Sequence, residues 1–359
     1  MNFEAFVNRV LEEIKEHLPE EFQDTEFVVR QHEKLNTKYS ALTMTDRTVA
    51  PLINLDDYFW DYEHGRSFEN ILGAIAETIE MEEPKVDLGA LKDFDKAKEL
   101  LFIRVSSAER NEDYLTKVPH TIMEDIAITY HLKMNVDETG VASAVVSDDM
   151  LRMYGVSVDE LHNAALENSE KIFPANIFNL HETMKQKFIT DMRNDGMPDE
   201  VIERILEDSM GTDDPGMTVV TNDVGVNGAA VLFYPGVMDK LAEMIEGDFF
   251  ILPSSLHETI ILPDHGEFGP EFLTNMVSEI NATQVEPWDR LTDEAYHYDP
   301  IDKVFEKASS FEARIAKKAE AERNEKKQSI MEKLDEKKEV AKTMLGEKQA
   351  PLRPAEVSL

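Results

Sequence analysis

The stretch FFILPSSLHETIILPDHG, residues 249–266, holds two short apolar runs on either side of a polar segment. We predict two adjacent strands, Phe249–Pro253 and His257–Leu262, because aromatic and β-branched residues dominate both runs. Ser254 and Ser255 would then occupy the connecting turn, where hydroxyl groups bond to nearby backbone groups. Strands joined by so short a turn run antiparallel, so this stretch predicts the type of sheet.

The neighbouring segments repeat the pattern of short strands and amphipathic helices. Upstream, residues 217–223 and 229–235 are predicted strands on either side of the turn VGVNG, and residues 236–247 are a predicted helix. Downstream, residues 269–281 are a predicted helix. Strands that are paired by short turns and covered by helices predict an α+β fold with antiparallel sheets, and not a doubly wound parallel sheet.

The first part of the chain has its own set of strands and helices. Residues 3–18 have apolar residues at helical spacing, and three β-rich runs then follow: EFVVRQHE, KYSALTMT and VAPLINL. We predict an amphipathic helix and a small antiparallel meander. A short aromatic helix follows and ends at Gly65, and Ser67 is placed to begin the next one.

The middle of the chain continues with strands and helices. LFIRVSS (101–107), residues 121–134 and residues 140–147 are predicted strands, the last two joined by a turn at residues 137–140. Ser157 and Glu160 have the spacing of a capping box and predict the start of a helix.

Composition indicates three parts. We predict an N-terminal α+β region with the meander at residues 1–86, a central α+β domain at 87–302, and a charged helical tail at 303–359. Lys, Glu and Ala alternate in the tail without a sustained heptad, and it ends in QAPLRPAEVSL, which is typical of a disordered end.

The bulk composition restricts the compartment and the partners. The chain has no cysteine, which excludes disulfides and thiolate metal sites and fits a reducing compartment. No apolar run approaches the roughly 20 residues of a membrane span, and the N-terminal segment carries acids where a signal peptide would be basic. These features predict a cytoplasmic protein with no membrane contact.

Charge is distributed unevenly. Residues 303–359 carry 14 Lys and Arg and 11 Asp and Glu, so residues 1–302 have a net charge of −39. Such a body should repel nucleic acids, since their binding depends on cations that displace counterions from phosphates. We therefore expect no direct nucleic-acid binding. The excess of acidic residues keeps the protein soluble, or the acidic surface mimics a nucleic acid and binds to the DNA-binding site of a partner.

The polar segment within residues 249–266 supplies the catalytic candidates: Ser254, Ser255, His257 and Glu258. As strand neighbours, His257 and Glu258 would point to opposite faces and could not cooperate. The segments HETII and HETMK both lack the second histidine of a zincin motif, and LPSSL lacks the glycines of a nucleophile elbow. Turn and strand structure explains these residues better than catalysis does.

Two acidic clusters are candidates for a divalent metal. Asp57, Asp61 and His64 share one helical face in DDYFWDYEHG, and DEAYHYD offers Asp293, His297 and Asp299. Aromatic residues among them favour ordinary packing with the acids in water. Neither GxGxxG nor GxxxxGK[ST] occurs, so we expect no nucleotide cofactor.

Four separated blocks together resemble a bacterial family known only as a domain of unknown function, with members in gut anaerobes. They are MNFEAFVNRVLEEIKEHLP, YGVSVDELHNAALENSEK, GDFFILPSSLHETIILPD and MVSEINATQVEPWDRLTDEAYHYD. The resemblance covers about residues 1–302. More distantly, the chain resembles the YtpQ-like uncharacterised proteins. Neither resemblance implies a catalytic residue.

These observations favour a non-enzymatic accessory protein that works through protein contacts; its charged C-terminal helix is either solvated, which its composition favours, or docked on the partner. Two alternatives remain open: a hydrolase or metal-dependent enzyme that uses the His257 region, and an acidic nucleic-acid mimic.

Overall fold

The computed structural model describes residues 1–47, 50–81, 89–137, 140–209 and 216–346. The strands are β1 (Phe27–Lys34), β2 (Thr37–Met44), β3 (Ile53–Asn54), β4 (Leu101–Ser107), β5 (His120–Met123), β6 (Ile126–Asp137), β7 (Gly140–Val145), β8 (Ala175–Asn179), β9 (Thr218–Asn222), β10 (Phe249–Pro253), β11 (Thr259–Pro263), β12 (Tyr296–Asp299) and β13 (Val304–Lys307). The α-helices are α1 (Phe3–Glu13), α2 (Leu55–Glu63), α3 (Phe68–Glu80), α4 (Phe94–Ala97), α5 (Glu112–Leu115), α6 (Asp148–Tyr154), α7 (Val158–Ile172), α8 (Leu180–Asn194), α9 (Asp199–Ser209), α10 (Val237–Ile245), α11 (Pro270–Thr283) and α12 (Ala308–Gly346).

These strands form three antiparallel sheets with helices packed against them, which confirms the α+β prediction. The first sheet has the order β1-β2-β3, and the second has the order β4-β6-β5 with β7 also paired to β6. The third has six strands in the order β13-β12-β10-β11-β9-β8. The predicted hairpin of β10 and β11 lies at the centre of this largest sheet.

Residues 3–80, here called the N-terminal unit, have a hydrophobic core of their own. Phe6 and Val10 of α1 pack with Leu42 of β2 and with the apolar face of α3. Ser67 begins α3 as predicted, because its Oγ accepts a hydrogen bond from the Asn70 amide at 3.2 Å. The meander and the helices are thus stabilised together by one apolar cluster.

The main core lies between the second and third sheets. Ile103 of β4 and Tyr130 of β6 pack there with Phe249 of β10 and with Leu161 of α7. The capping box that begins α7 is formed as predicted, since Ser157 Oγ accepts from the Glu160 amide and Glu160 Oε2 accepts from the Ser157 amide. The other face of the third sheet is covered by α11 and the start of α12.

One predicted strand is wrong. Residues 228–233 form a 3-10 helix, whereas the sequence predicted a strand at residues 229–235. All six residues of this helix are buried. A short apolar run that is buried on every side carries no periodicity, so its pattern alone does not separate helix from strand.

Other boundaries also differ from the prediction. The predicted strand at 121–134 is two strands, because Glu124 has φ 55° and reverses the chain between β5 and β6. Strand β11 begins at Thr259, so His257 and Glu258 lie in the turn and not in the strand. The turn residues 138 and 139, the expected boundary at 86/87 and the expected disordered end lie outside the described residues.

Helix α12 leaves the compact part of the protein. Arg314 anchors its first turns through ion pairs with Asp299, Asp302 and Glu306. Each residue from Ile315 to Ala341 is exposed. At 1.5 Å per residue this part of the helix is about 40 Å long.

Candidate functional site

A cleft of about 660 Å³ lies where the N-terminal unit meets the second and third sheets. We call it the junction cleft. Its polar and charged lining residues are Lys34, Thr37, Tyr39, Asn54, Asp57, Arg104, Asn227, His257 and Asp289. Its apolar lining residues are Leu35, Leu52, Val141, Val226, Leu256 and Trp288. Its volume falls within the range of small-molecule sites, which is about 300–1,000 Å³.

Arg104 forms part of the wall through the alternation of side chains along β4. Leu101, Ile103 and Val105 enter the main core, so Arg104 projects from the opposite face of the sheet. It is only 9% exposed, and its Nε has no hydrogen-bond partner among the described residues. Its guanidinium carbon lies 5.5 Å from the centre of the Phe102 ring. Burial lowers the pKa of Arg104 to about 10.

Lys34 brings a second cation to the cleft from the N-terminal unit. It is the last residue of β1, at the tip of the hairpin with β2. Although the side chain of Lys34 is exposed overall, partial loss of surrounding water and the positive charge of Arg104 lower its pKa, while Asp57 and Asp289 act in the opposite direction. Burial and the same two cations hold the pKa of His131 well below its usual value. Arg104 and Lys34 thus bring two positive charges to the lining, which also contains the carboxylates of Asp57 and Asp289.

His257 also lines the junction cleft, and both nitrogens of its ring have partners. Its Nδ1 accepts a hydrogen bond from the Asn227 amide at 3.1 Å, and its Nε2 lies 3.1 Å from Asp289 Oδ1. Because Nδ1 accepts, the ring proton belongs on Nε2, which donates to Asp289. Both nitrogens are thus engaged: the one basic lone pair of the neutral ring, on Nδ1, accepts from the Asn227 amide, and Nε2 carries the proton.

The other residues of the turn are tied to backbone groups. Ser255 Oγ accepts a hydrogen bond from the His257 amide at 2.9 Å, and the Ser255 amide donates to Glu258 O at 3.3 Å. Ser254 precedes them and is half-buried. The structure thus places all four catalytic candidates in one turn, but the hydrogen bonds within it shape the backbone.

The first metal candidates are not brought to a common point. His64 Nδ1 lies 2.8 Å from Trp60 O and its ring stacks on the Trp60 ring. Asp61 forms an ion pair with Arg66 at 2.8 Å. Asp57 instead lines the junction cleft, where burial raises the pKa of its carboxyl group.

The second metal candidates are also separately engaged. Asp293 pairs with Arg110 at 2.9 Å, and Asp299 pairs with Arg314 at 2.9 Å. His297 is fully buried, and its Nε2 lies 3.4 Å from Asp264 Oδ2. Within the described part of the chain, no group of three or more His, Asp or Glu side chains is placed to hold a metal ion.

Residues 3–300 match the model of a family described as "Family of unknown function (DUF5688)". The chain belongs to the DUF5688 family. No curated protein and no solved structure matches the chain. This agrees with the resemblance noted in the sequence to a domain of unknown function.

The DUF5688 region contains every residue of the junction cleft, whereas α12 lies beyond it. Lys34, Arg104 and Asp289 were not singled out from the sequence. One signal was present, because Arg104 is the only charged residue in the strand LFIRVSS. Asp289 becomes a site residue only through the fold, which brings it to His257 from 32 positions away.

Among the described residues, no helix is both long enough and apolar enough to cross a membrane.

Proposed function

We propose that this DUF5688 protein is a non-enzymatic binding protein that holds a small ligand in the junction cleft. The observation that carries the proposal is the state of His257, whose two ring nitrogens both have partners. A general base needs a free lone pair within reach of its substrate. The cleft supports binding by its size and by its mixture of apolar walls with a few polar groups.

Retention of a natural ligand tests this proposal. Full-length protein is incubated with a small-molecule extract of native cells and then desalted to remove unbound compounds. The protein is denatured, and the compounds that it releases are identified by mass spectrometry. We expect one compound, chemically unchanged, at about one per chain. Conversion of that compound by the protein, abolished in His257→Ala, would instead support the enzyme hypothesis.

We further propose that the protein contacts a protein partner through α12 and works in the cytoplasm without binding nucleic acid directly. The helix offers Ile330 and Leu334, which are 65% and 48% exposed and lie one turn apart between charged residues. A partner would therefore need a narrow apolar groove with charges of both signs on its edges. The net charge of −39 over residues 1–302 supports the exclusion of nucleic acid.

Competition tests the α12 proposal. A protein captured by the full-length chain should be released by excess peptide 315–346 and should not be captured by the double variant Ile330→Ser, Leu334→Ser. Lys333→Ala is the matched control and should retain the partner. Capture that neither the peptide nor the double variant affects would contradict the proposal.

A further inference from the structure

We propose that Arg104 and Lys34 form an anion-binding end of the junction cleft, and that the ligand held there is a small organic carboxylate. This inference rests on the proposed ligand-binding function and names the chemical class of the ligand. It also assigns the two residues that recognise the ligand's charge.

The first argument is the position of Arg104. A guanidinium that is removed from water without an acidic partner destabilises the folded protein. This chain has 73 acidic residues, yet Arg104 forms no ion pair with any described residue. Arg314, by contrast, meets three carboxylates. A buried cation with no acidic partner among the described residues of so acidic a protein is explained if its partner comes from a ligand.

The second argument is that Lys34 faces the same space from another part of the fold. Lys34 belongs to β1 of the N-terminal unit, and Arg104 belongs to β4 of the second sheet. Both side chains line the same cleft, and the positive charge of Arg104 adds to the loss of surrounding water in lowering the pKa of Lys34. An anion placed between them replaces this repulsion with two attractions and connects the two parts of the protein.

In the neighbouring cavity, basic side chains form ion pairs with acidic side chains of the protein, which is the usual structural role of such residues. This cavity has a volume of about 280 Å³ and is also lined by Lys34, Lys38 and Glu33. There Lys38 pairs with Glu33 at 2.8 Å and with Asp113 at 3.3 Å, and Lys117 also pairs with Glu33. Lys38 and Arg110 of that cavity thus have acidic partners, whereas Arg104 has none among the described residues.

The carboxylate class follows from the rest of the lining. The planar fork of an arginine matches the two oxygens of a carboxylate. Asp57 and Asp289 also line the cleft and repel an anion in proportion to its charge, which favours a ligand with a single negative charge. The walls include Leu35, Leu52 and Trp288, which suit an apolar body attached to the charged group.

Direct titration with defined probes tests the proposal. Full-length protein is titrated by calorimetry with sodium acetate, hexanoate, phenylacetate and inorganic phosphate at constant ionic strength. We expect hexanoate or phenylacetate to bind at least tenfold more tightly than acetate or phosphate. Arg104→Met and Lys34→Met should each weaken that binding at least tenfold. Lys38→Met is the matched control, because Lys38 lies in the neighbouring cavity, and it should bind as the wild type does.

Thermal unfolding separates a recognition role from a structural one. If Arg104 serves to bind a ligand and does not stabilise the fold, Arg104→Met should unfold at the same temperature as the wild type or at a higher one. Both proteins are measured without added carboxylate. A lower unfolding temperature for Arg104→Met, together with no binding of carboxylates to the wild type, would assign Arg104 a structural role and overturn the inference. Lys34→Met gives an independent measurement if Arg104→Met does not fold.

Other outcomes distinguish this inference from the proposed function. Tighter binding of phosphate than of any carboxylate would overturn the ligand class. A natural ligand that is retained by the protein but has no carboxylate, or that binds equally to Arg104→Met and Lys34→Met, would overturn the inference and leave the proposed function standing. If no natural ligand is retained while hexanoate or phenylacetate binds as expected, the proposed function fails and the carboxylate site remains.

Discussion

Asn36 and Asn111 join the N-terminal unit to the central part of the protein through two reciprocal hydrogen bonds. The Asn36 amide donates to Asn111 Oδ1 at 2.6 Å, and Asn111 Nδ2 donates to Asn36 Oδ1 at 2.7 Å. Asn36 has φ 63° at the tip of the β1-β2 hairpin, and its Nδ2 also donates to the carbonyls of Trp288 and Arg290. Asn suits this position because it tolerates the left-handed region and has a donor and an acceptor.

Removing the Asn111 side chain should destabilise the protein. Asn111 is 4% exposed, and Asn111→Ala leaves the Asn36 amide and the Ser107 carbonyl without their partner. We expect the free energy of unfolding to fall by about 2–3 kcal/mol, as measured by urea denaturation. Asn324→Ala, on the exposed part of α12, should change it by less than about 0.5 kcal/mol. Equal effects of the two variants would contradict the role of this contact.

Gly228 should not tolerate a side chain. A Cβ at this position would lie 2.1 Å from Thr221 Oγ1 and 2.4 Å from His257 O. Because a backbone carbonyl cannot move as a flexible side chain does, we expect Gly228→Ala to lower the free energy of unfolding by at least about 3 kcal/mol. The control is Gly73→Ala in α3, where a Cβ meets open space. That variant should be more stable than the wild type by about 0.5–1 kcal/mol.

His297 should make the protein less stable in mild acid. It is fully buried between the rings of Phe311 and Phe250, and neither ring nitrogen forms a hydrogen bond with a described residue. Burial lowers the pKa of His297, although the nearby carboxylates of Asp264, Asp248 and Asp299 act against this shift. The unfolded chain therefore binds a proton near pH 6.5 that the folded chain does not, and stability falls as the pH drops below that value.

His297→Phe removes this proton uptake and keeps the aromatic packing. We expect the variant to unfold at the same or a higher temperature than the wild type at pH 7.5, and to have a larger advantage at pH 5.5. Thermal unfolding at the two pH values measures the effect. A variant whose unfolding temperature falls in parallel with that of the wild type would show that His297 does not contribute to the pH dependence.

Arg314 should be essential for the attachment of α12. Its guanidinium lies 2.9 Å from Asp299, 2.7 Å from Asp302 and 2.6 Å from Glu306. The Asp299 and Glu306 side chains are 7% and 9% exposed, so Arg314→Ala would leave buried carboxylates unpaired. We expect a loss of about 3 kcal/mol in the free energy of unfolding, measured by urea denaturation. Arg323→Ala, on the exposed part of the same helix, should have no measurable effect; a similar loss in both variants would argue against an anchoring role.

Much of the local structure could be predicted from residue types and their spacing. Ser67 and the pair Ser157 and Glu160 begin their helices as predicted, because a cap depends on groups only three residues apart. The β10-β11 hairpin was likewise predicted from its two apolar runs. The 3-10 helix at residues 228–233 was missed, because a short apolar run that is buried throughout has no pattern that separates helix from strand.

The location of the cleft could not be predicted in the same way. His257 was a candidate from the sequence, but its partners Asn227 and Asp289 lie 30 and 32 positions away. Lys34 and Arg104 line one cleft although 70 positions of sequence separate them. No local pattern encodes such a pairing, since it depends on how the sheets pack.

For this protein, residue patterns were sufficient for the α+β class, the helix starts, the central hairpin and the acidic character of the body. These properties arise from interactions over a few residues or from composition alone. The partners of the His257 ring nitrogens depend on segments that are distant in the sequence. The same is true of the position of Arg104, which is buried without an acidic partner among the described residues. Those contacts are determined by how the three sheets pack against one another, so only the tertiary structure reveals them.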